Sequence, residues 1–280
     1  MTASRLAPGV ELVTVPGQGL AVRTQDGEFL RVDTGRVAAQ DLVARFGGGK
    51  PGSPELEELV RAFEDAGYAG ERGTRPLEGR AVLVLGDEPL TGGLARRAAA
   101  EGAEVARPGR TEVEALAGED AGLPYGKPTV VVWCLDSPVP EGLWDAADRL
   151  PARGIGWLRC HREGFQAWIE PLAAGPGDVT AADVRLRRLA ASPAHRELAA
   201  YWAGHRTAGT RGRGNEASAA LIVELLTADL IAWAGGRSTT GRLPEGRRLR
   251  RVDLRDLTVG EHPVLPVPAV APVPGPGSPR

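Results

Sequence analysis

Two apolar runs constrain the fold of this chain more than any other feature. Residues 82–85 (VLVL) and 129–134 (TVVVWC) lack the polar alternation of a strand that has one face in water. Such runs are typical of parallel strands that are covered on both faces by connecting helices. Further strand patterns at 104–106, 155–159 and 165–169 alternate with helical patterns at 94–101 and 143–150. Residues 73–262 are therefore predicted to form an α/β domain.

A separate module precedes this domain. Strand patterns at 10–15, 20–23 and 28–32 are followed by helical patterns at 38–46 and 54–66. Asp26-Gly27 predicts a hairpin turn between the last two strands. Ser53 is the predicted N-cap of the second helix, and Gly67 ends it. Residues 1–72 are predicted to be a winged-helix-like module of three strands and three helices.

The C-terminal part combines a long apolar helix, an arginine-rich segment and a proline-rich end. The helix pattern at 215–236 contains Glu224, Thr227 and Asp229, which favour burial in protein over a membrane. Residues 247–259 predict one strand beside a basic surface. Residues 263–280 predict a disordered tail.

Composition argues against several classes of function. The formal net charge of the 280 residues is −2, which gives no reason to expect a nucleic acid or a membrane as partner. The helix at 55–65 is acidic, the wrong sign for a DNA groove. Cys134 and Cys160 are too few for a disulfide framework or a metal site. No signal peptide is recognisable, so we expect a cytoplasmic protein.

The segment AVLVLGDEPLTGG (81–93) has the position of a dinucleotide-binding turn. A working site needs closely spaced glycines beside the pyrophosphate and an acidic residue for the ribose about twenty residues on. Here Asp87 and Glu88, whose charges repel phosphate, follow Gly86, and Arg107 stands near the ribose position. The segment therefore predicts a structural turn in preference to a nucleotide site.

Other reactive residues favour structural roles. Asp136 follows a strand end, where α/β proteins place functional groups, but we favour an ordinary turn there. Cys160 and His161 are strand neighbours that point to opposite faces, which suits a Cys–His nucleophile poorly. Cys134 is expected in the core. A solvated loop is expected for three arginines: Arg206, Arg211 and Arg213.

Together these segments resemble a known family. Residues 1–72 resemble the PqqD-like recognition element, which binds leader peptides in the biosynthesis of ribosomally made, modified peptides (RiPPs). The rest resembles the Ocin-ThiF-like domain, or F protein, a degenerate ThiF/MoeB-like partner of YcaO cyclodehydratases. The resemblance rests on the order of VLVLG, VVVWCLDSP, GIGWLRCHREGFQAWIEPLAAGPGDVTAADVRLRRLAASP, ALIVELLTADLIAW and HPVLPVP. It implies a Rossmann-type sheet in the second domain.

Departures from the family pattern bear on cofactors. In that family, Cys-x-x-Cys pairs after GPLxxPG and after HPVLPxP hold structural zinc, whereas this chain has GPGDVTAADV and PVPAVAPVPG. Catalytic ThiF-like enzymes bind ATP with Arg, Lys and Asp residues around the glycine turn. The acidic turn here is more similar to that of the non-adenylating partner proteins. The resemblance therefore implies neither zinc nor ATP.

The resemblance also implies a peptide-binding site. In such recognition elements a leader peptide adds as a strand beside the third strand and packs against the third helix. The matching positions are Glu28, Phe29, Leu30, Arg31 and Val32 of the strand and Leu56, Val60 and Phe63 of the helix. Part of that helix stripe must also fill the module's own core.

The combined expectation is a non-catalytic protein that binds the leader of a ribosomal precursor peptide. It would recruit the precursor to a YcaO-type cyclodehydratase for thiazoline or oxazoline formation in azole-modified microcins, bacteriocins or thiopeptides. Two alternatives remain: an ATP-using, adenylating ThiF-like enzyme, and a winged-helix regulator, which the acidic helix disfavours. Homodimerisation is left open.

Overall fold

A computed structural model of the chain describes residues 4–70, 75–118, 124–207, 215–236 and 243–268. Internal contacts divide the chain into two units, Met1–Thr74 and Arg75–Arg280. Among the predicted features, Arg211, Arg213 and residues 269–280 lie outside the described residues.

The N-terminal unit is built on short antiparallel strands. They are β1 (Arg5–Leu6), β2 (Glu11–Val15), β3 (Gly19–Arg23), β4 (Phe29–Val32) and β5 (Ala69–Gly70). β2, β3 and β4 form a sheet in that order, and β1 pairs with β5. The predicted hairpin at Asp26-Gly27 is confirmed, because Gly27 has a φ of +85° and its N–H donates to Thr24 O at 3.0 Å. That backbone conformation favours glycine.

Two helices share a core with this sheet. α1 spans Ala39–Phe46 and α2 spans Pro54–Asp65, where Ser53 Oγ accepts the Leu56 N–H at 3.3 Å as the predicted N-cap. Buried side chains of β3 and both helices form the core: Leu20, Val22, Leu42, Phe46, Leu56, Val60 and Phe63. The expected three helices are corrected to two within residues 4–70, because the chain beyond Gly67 continues as β5.

Seven strands form one mixed sheet in the second unit. They are β6 (Ala81–Gly86), β7 (Glu104–Ala106), β8 (Thr129–Cys134), β9 (Gly156–Glu163), β10 (Gln166–Ile169), β11 (Arg248–Asp253) and β12 (Thr258–Pro263). Their order is β12-β11-β10-β9-β8-β6-β7, parallel from β7 to β9 and antiparallel from β9 to β12. All of β8 and residues 81–85 of β6 are buried, as predicted.

Helices cover both faces of this sheet. They are α3 (Leu90–Ala100), α4 (Arg110–Leu116), α5 (Ala181–Ala191), α6 (His195–Trp202) and α7 (Glu216–Gly235). α3 and α7 pack on one face, and α4 and a 3₁₀ helix, Ala147–Arg153, pack on the other. The α-helix predicted at 143–150 is corrected to turns and this 3₁₀ helix. The N–H groups of Leu143, Asp145 and Arg149 donate to carbonyls three residues back, and Pro151 has no N–H for Ala147 O.

α7 is the buried helix that the sequence predicts. By length and composition alone it could cross a membrane. In the structure, however, Ile222, Leu226 and Leu230 pack into the core beside the sheet, and Asp229 is buried. A charged side chain at that place requires a partner of opposite charge.

That partner is a pair of arginines, which the sequence pattern predicts beside a basic surface. The single strand predicted at 247–259 is two strands, β11 and β12, with Leu257 at a φ of +61° in the turn between them. Arg248 and Arg250 are buried and each donates to Asp229 at 2.5 Å. Alternate residues of a strand share a face, so both guanidinium groups reach one carboxylate. Removing one partner of such a buried cluster costs about 3–5 kcal/mol.

The first residues of the expected tail are part of the described structure. Pro263 ends β12, and Val264 is buried. The Val267 N–H donates to Asp183 Oδ1 at 2.8 Å, and Arg187 donates to the carbonyl of Leu265 at 3.1 Å. Residues 263–268 therefore lie along α5.

Candidate functional site

β4 is an edge strand of the N-terminal unit. It pairs with β3 from Phe29 to Val32, and among the described residues no strand pairs with its other side. An unpaired edge presents a row of N–H and C=O groups that can bond to a further strand. β4 is therefore the place in this unit where an extended peptide can add.

The register shows which backbone groups of β4 point outward. The Thr24 N–H donates to Glu28 O at 2.8 Å, so these residues form a hydrogen-bonded pair at the hairpin end. Bonded and non-bonded pairs alternate along an antiparallel ladder. Leu30 is therefore bonded to β3, whereas the N–H and C=O groups of Phe29 and Arg31 point away from β3. An added strand would bond to Phe29 and Arg31.

The predicted strand residues lie together at this edge. Glu28, Phe29, Leu30 and Arg31 are exposed, and Val32 is half-buried. The exposed fractions of the two apolar side chains are large, 63% for Phe29 and 40% for Leu30. Leu30 lies opposite Val22, a core residue, so it borders both the core face and the open edge. The edge thus offers apolar contacts as well as hydrogen bonds.

The predicted helix residues lie in the core of the unit. Leu56, Val60 and Phe63 are each at most 7% exposed, and the rings of Phe46 and Phe63 are 5.3 Å apart. They fill the module's own core, as part of the stripe was expected to do. Their contact with a leader peptide stays a prediction.

An ion pair that no sequence pattern above predicts joins α1 to α2. Arg45 Nε donates to Glu57 Oε1 at 2.9 Å, and Arg45 Nη2 donates to Oε2 at 3.1 Å. The hydrogen bond from Arg45 lowers the pKa of the Glu57 carboxyl against the opposing effect of desolvation. Arg45 stands between Leu42 and Phe46 on the buried stripe of α1, and a charge at such a position is the signal that could have revealed the pair.

In the second unit, Gly86 ends β6 because no side chain fits there. Its φ is +117°, and a Cβ would lie 1.8 Å from the Cys134 carbonyl oxygen of β8. The Asp87 N–H donates to the same oxygen at 2.8 Å. The close approach of two strands therefore explains the glycine without any ligand.

The turn after Gly86 is closed by the chain's own charges. Glu88 Oε2 accepts the Gly92 N–H of α3 at 3.2 Å. Arg107 Nη2 donates to Glu88 Oε1 at 2.5 Å and to Thr91 Oγ1 at 2.8 Å. The bond from Arg107 lowers the pKa of the Glu88 carboxyl. The Glu88 carboxylate thus accepts an N–H of the first turn of α3 that would otherwise be free to bond to a phosphate. The residues present therefore do not fit a phosphate at this turn.

The other strand-end residues make structural contacts. The Asp136 N–H donates to Asp87 Oδ2 at 2.9 Å, and Asp136 Oδ1 lies 3.0 Å from Arg162 Nε. These contacts tie the ends of β6, β8 and β9 together. The geometry agrees with the interpretation of Asp136 as a turn residue.

Cys160 and His161 point to opposite sides of β9, as predicted. Cys160 packs with Cys134 in the core beneath α3 and α7, whereas the His161 ring lies 5.7 Å from that of Trp144 on the other side. Burial raises the pKa of Cys134 to about 12 and that of Cys160 well above its usual range. Burial thus favours the neutral form of both thiols, whereas the thiolate is the nucleophilic form. In the described part of the chain, no cluster of three or more His, Cys, Asp or Glu is arranged to hold a metal ion.

Several solved structures are similar to this chain. A heterocyclase in complex with substrate and cofactor has a TM-score of 0.65 and 12% identity, over 95% of this chain and 39% of its own. The heterocyclase TruD has a TM-score of 0.60 and 15% identity, over 94% and 41%. A chain of the E. coli microcin synthetase McbBCD complex with pro-MccB17 bound has a TM-score of 0.52 and 11% identity, over 95% and 98%.

At these identities the similarity defines a fold. The chain spans about two fifths of the length of the two heterocyclases. Its seven-stranded mixed sheet is consistent with the Rossmann-type, ThiF/MoeB-like fold expected for residues 73–262. No protein-family model matches the chain, and no curated protein matches it in sequence.

Proposed function

We propose that this chain recognises a ribosomal precursor peptide and delivers it to an enzyme that forms azoline rings. The observation that carries the proposal is the open edge of β4, where the outward backbone groups of Phe29 and Arg31 lie beside the exposed Leu30. The leader would add as a fourth strand of the sheet, in the manner of a PqqD-like recognition element. Backbone bonds would supply affinity and alternate side chains would supply specificity.

The fold supports the biosynthetic setting. The similar structures include two heterocyclases, one with substrate and cofactor, and a microcin synthetase with pro-MccB17 bound. The partner enzyme would be a YcaO-type cyclodehydratase that forms thiazolines or oxazolines from Cys, Ser or Thr in an ATP-dependent reaction. Both proteins would act in the cytoplasm.

The chain's own role would be non-catalytic. The Glu88–Arg107 pair at the glycine turn supports a scaffold that binds no ATP. The burial of Cys134 and Cys160 supports a domain that holds no zinc through them. Binding would reside in the N-terminal unit, and the second unit would dock on the partner enzyme.

Calorimetric titration of the full chain with the leader of the precursor encoded beside its gene tests the proposal. We expect saturable binding of that leader and none of a scrambled peptide with the same composition. Failure of the authentic leader to bind would contradict the proposal. The same chain alone should show no ATP–pyrophosphate exchange, since such exchange would assign the adenylating activity instead. A gel shift with DNA would favour the regulator.

A further inference from the structure

The second unit contains a cavity that the proposed function does not use. It encloses about 190 Å³ between residues 139–145, β9, α5 and α6. This is several times the volume of about 30 Å³ that one water molecule takes up in the liquid. Charged side chains lie in its interior, among them Glu163, Glu170 and Arg188, and two tryptophans, Trp144 and Trp202, line it.

The buried carboxylates of the cavity are held by arginines. Arg188 donates to both oxygens of Glu163, at 2.5 and 3.1 Å, and Trp202 Nε1 donates to Glu163 Oε1 at 2.6 Å. Arg159 Nε donates to Glu170 Oε2 at 2.8 Å. The interior is therefore a fixed polar surface rather than a set of free charges.

Two buried nitrogen atoms on this surface lack hydrogen bonds. His161 Nδ1 and Trp144 Nε1 bond to none of the described residues, although each side chain is at most 4% exposed. The two rings are adjacent, 5.7 Å apart. Buried polar atoms of native proteins are almost always satisfied. Both residues line the cavity, where a ligand would meet their rings.

The chemistry of these atoms defines the ligand. His161 Nε2 lies 3.3 Å from Glu163 Oε1 and 3.4 Å from Arg188 Nη1, and Glu170 Oε1 lies 3.5 Å from His161 Nδ1. In the tautomer that donates Nε2–H to Glu163, Nδ1 is an acceptor beside Glu170. Together they suit a group with several N–H donors. Trp144 Nε1–H requires an acceptor such as a carbonyl oxygen.

Charge and shape at the mouth agree with this assignment. Glu141 and Asp145 are exposed there, opposed by Arg185, whose guanidinium lies 4.9 Å from the centre of the Trp202 ring. The excess of carboxylates over arginines at the mouth favours a cation. Leu143 and Val184 supply an apolar side for a hydrocarbon side chain.

We propose that this cavity binds an α-ammonium group next to a carbonyl, on a residue with an apolar side chain. The ammonium would bond to Glu170 and His161, and the carbonyl would accept the Trp144 indole N–H. A peptide amino terminus and a free amino-acid amide share this chemistry. The site is separate from β4, so its test is independent of leader binding.

Titration of the full chain with leucinamide, followed by the ¹H–¹⁵N indole signals of its six tryptophans, tests the site. We expect saturable shifts of the Trp144 and Trp202 signals and none of Trp233, which lies on α7. N-acetyl-leucinamide lacks the ammonium charge and should bind at least about tenfold more weakly. No saturable shift, or equal binding of the acetylated compound, would overturn the proposal.

Variants at the mouth separate this site from general charge effects. Glu141→Gln with Asp145→Asn should weaken leucinamide binding about threefold to tenfold. The matched control, Glu197→Gln, removes an exposed carboxylate of α6 that does not line the cavity and should change nothing. Equal weakening in both would contradict the proposal. Leucyl-alaninamide identifies the source: tighter binding than leucinamide indicates a peptide amino terminus, and equal binding indicates a free amide.

Discussion

The edge of β4 and the first turn of α3 both place backbone N–H groups where a partner could bind, but only β4 leaves them open. At β4, the N–H groups of Phe29 and Arg31 point away from the sheet. At α3, the Gly92 N–H is bonded to Glu88, which Arg107 holds in place. A backbone group is available to a ligand only when no side chain of the protein already satisfies it. The contrast agrees with the proposal that a peptide binds at β4 and that the turn before α3 is structural.

The largest expected effect distinguishes two glycines with positive φ. A Cβ at Gly86 would lie 1.8 Å from Cys134 O, whereas at Gly27 the nearest atom is 3.8 Å away. We expect Gly27→Ala to lower the free energy of unfolding by about 1 kcal/mol, from its backbone conformation alone. Gly86→Ala should lower it by about 3 kcal/mol or more, because the strands must also separate. Denaturant unfolding measures both, and equal losses would contradict the close-approach explanation of Gly86.

Arg31→Pro tests the open edge most directly. Proline removes the outward N–H of Arg31 and takes no bond from the β3–β4 ladder. We expect leader affinity to fall about tenfold, since one strand bond is lost. Arg31→Ala, which keeps the N–H, is the matched control and should bind nearly as well as the native chain. Calorimetry that shows the same loss for both variants would assign the effect to the side chain.

Phe29→Ala tests the apolar part of the same edge. The side chain is 63% exposed and would be covered by an added strand. We expect leader affinity to fall about fivefold, corresponding to about 1 kcal/mol of lost apolar burial. Val259→Ala, at an exposed apolar residue of β12, is the control. An unchanged affinity in Phe29→Ala would place the peptide elsewhere.

The smallest effect concerns the closed turn. Glu88→Ala frees the Gly92 N–H and leaves Arg107 without its carboxylate. We expect millimolar phosphate to stabilise this variant by about 0.5 kcal/mol relative to chloride of equal ionic strength. The native chain and the double variant with Arg107→Ala should show no such gain in thermal unfolding. Stabilisation of the native chain by phosphate would show that the first turn of α3 is open to an anion, which contradicts its contrast with the edge of β4.

The sequence predicted correctly those strands and turns whose structure depends on residues that are close together in the chain. The runs at Thr129–Cys134 and Glu104–Ala106 are strands with the predicted bounds. Thr129–Cys134 has the continuous apolar pattern of a buried parallel strand. The Asp26-Gly27 hairpin likewise follows from the conformation of glycine. The helix predicted at 143–150 was wrong: the apolar spacing suits an α-helix, but the backbone there bonds mainly three residues back, as in turns and a 3₁₀ helix.

Long-range partners could not be predicted in the same way. Arg107 and Glu88 each stood out at the turn, but only the fold shows that they bond to each other. For Leu56, Val60 and Phe63, an apolar stripe has the same pattern whether it faces a core or a peptide. The position of β4 at the sheet edge was predictable, because consecutive hairpins place the last strand outside.

Asp229 has a consequence for the synthesis of the chain. Its arginine partners follow it by 19 and 21 residues, so α7 leaves the ribosome as an apolar helix with an unneutralised carboxylate. A carboxylate near the centre of an inserting helix costs about 3 kcal/mol at the translocon. The same residue that anchors α7 to β11 therefore also disfavours the entry of the nascent helix into a bilayer before its arginines have left the ribosome.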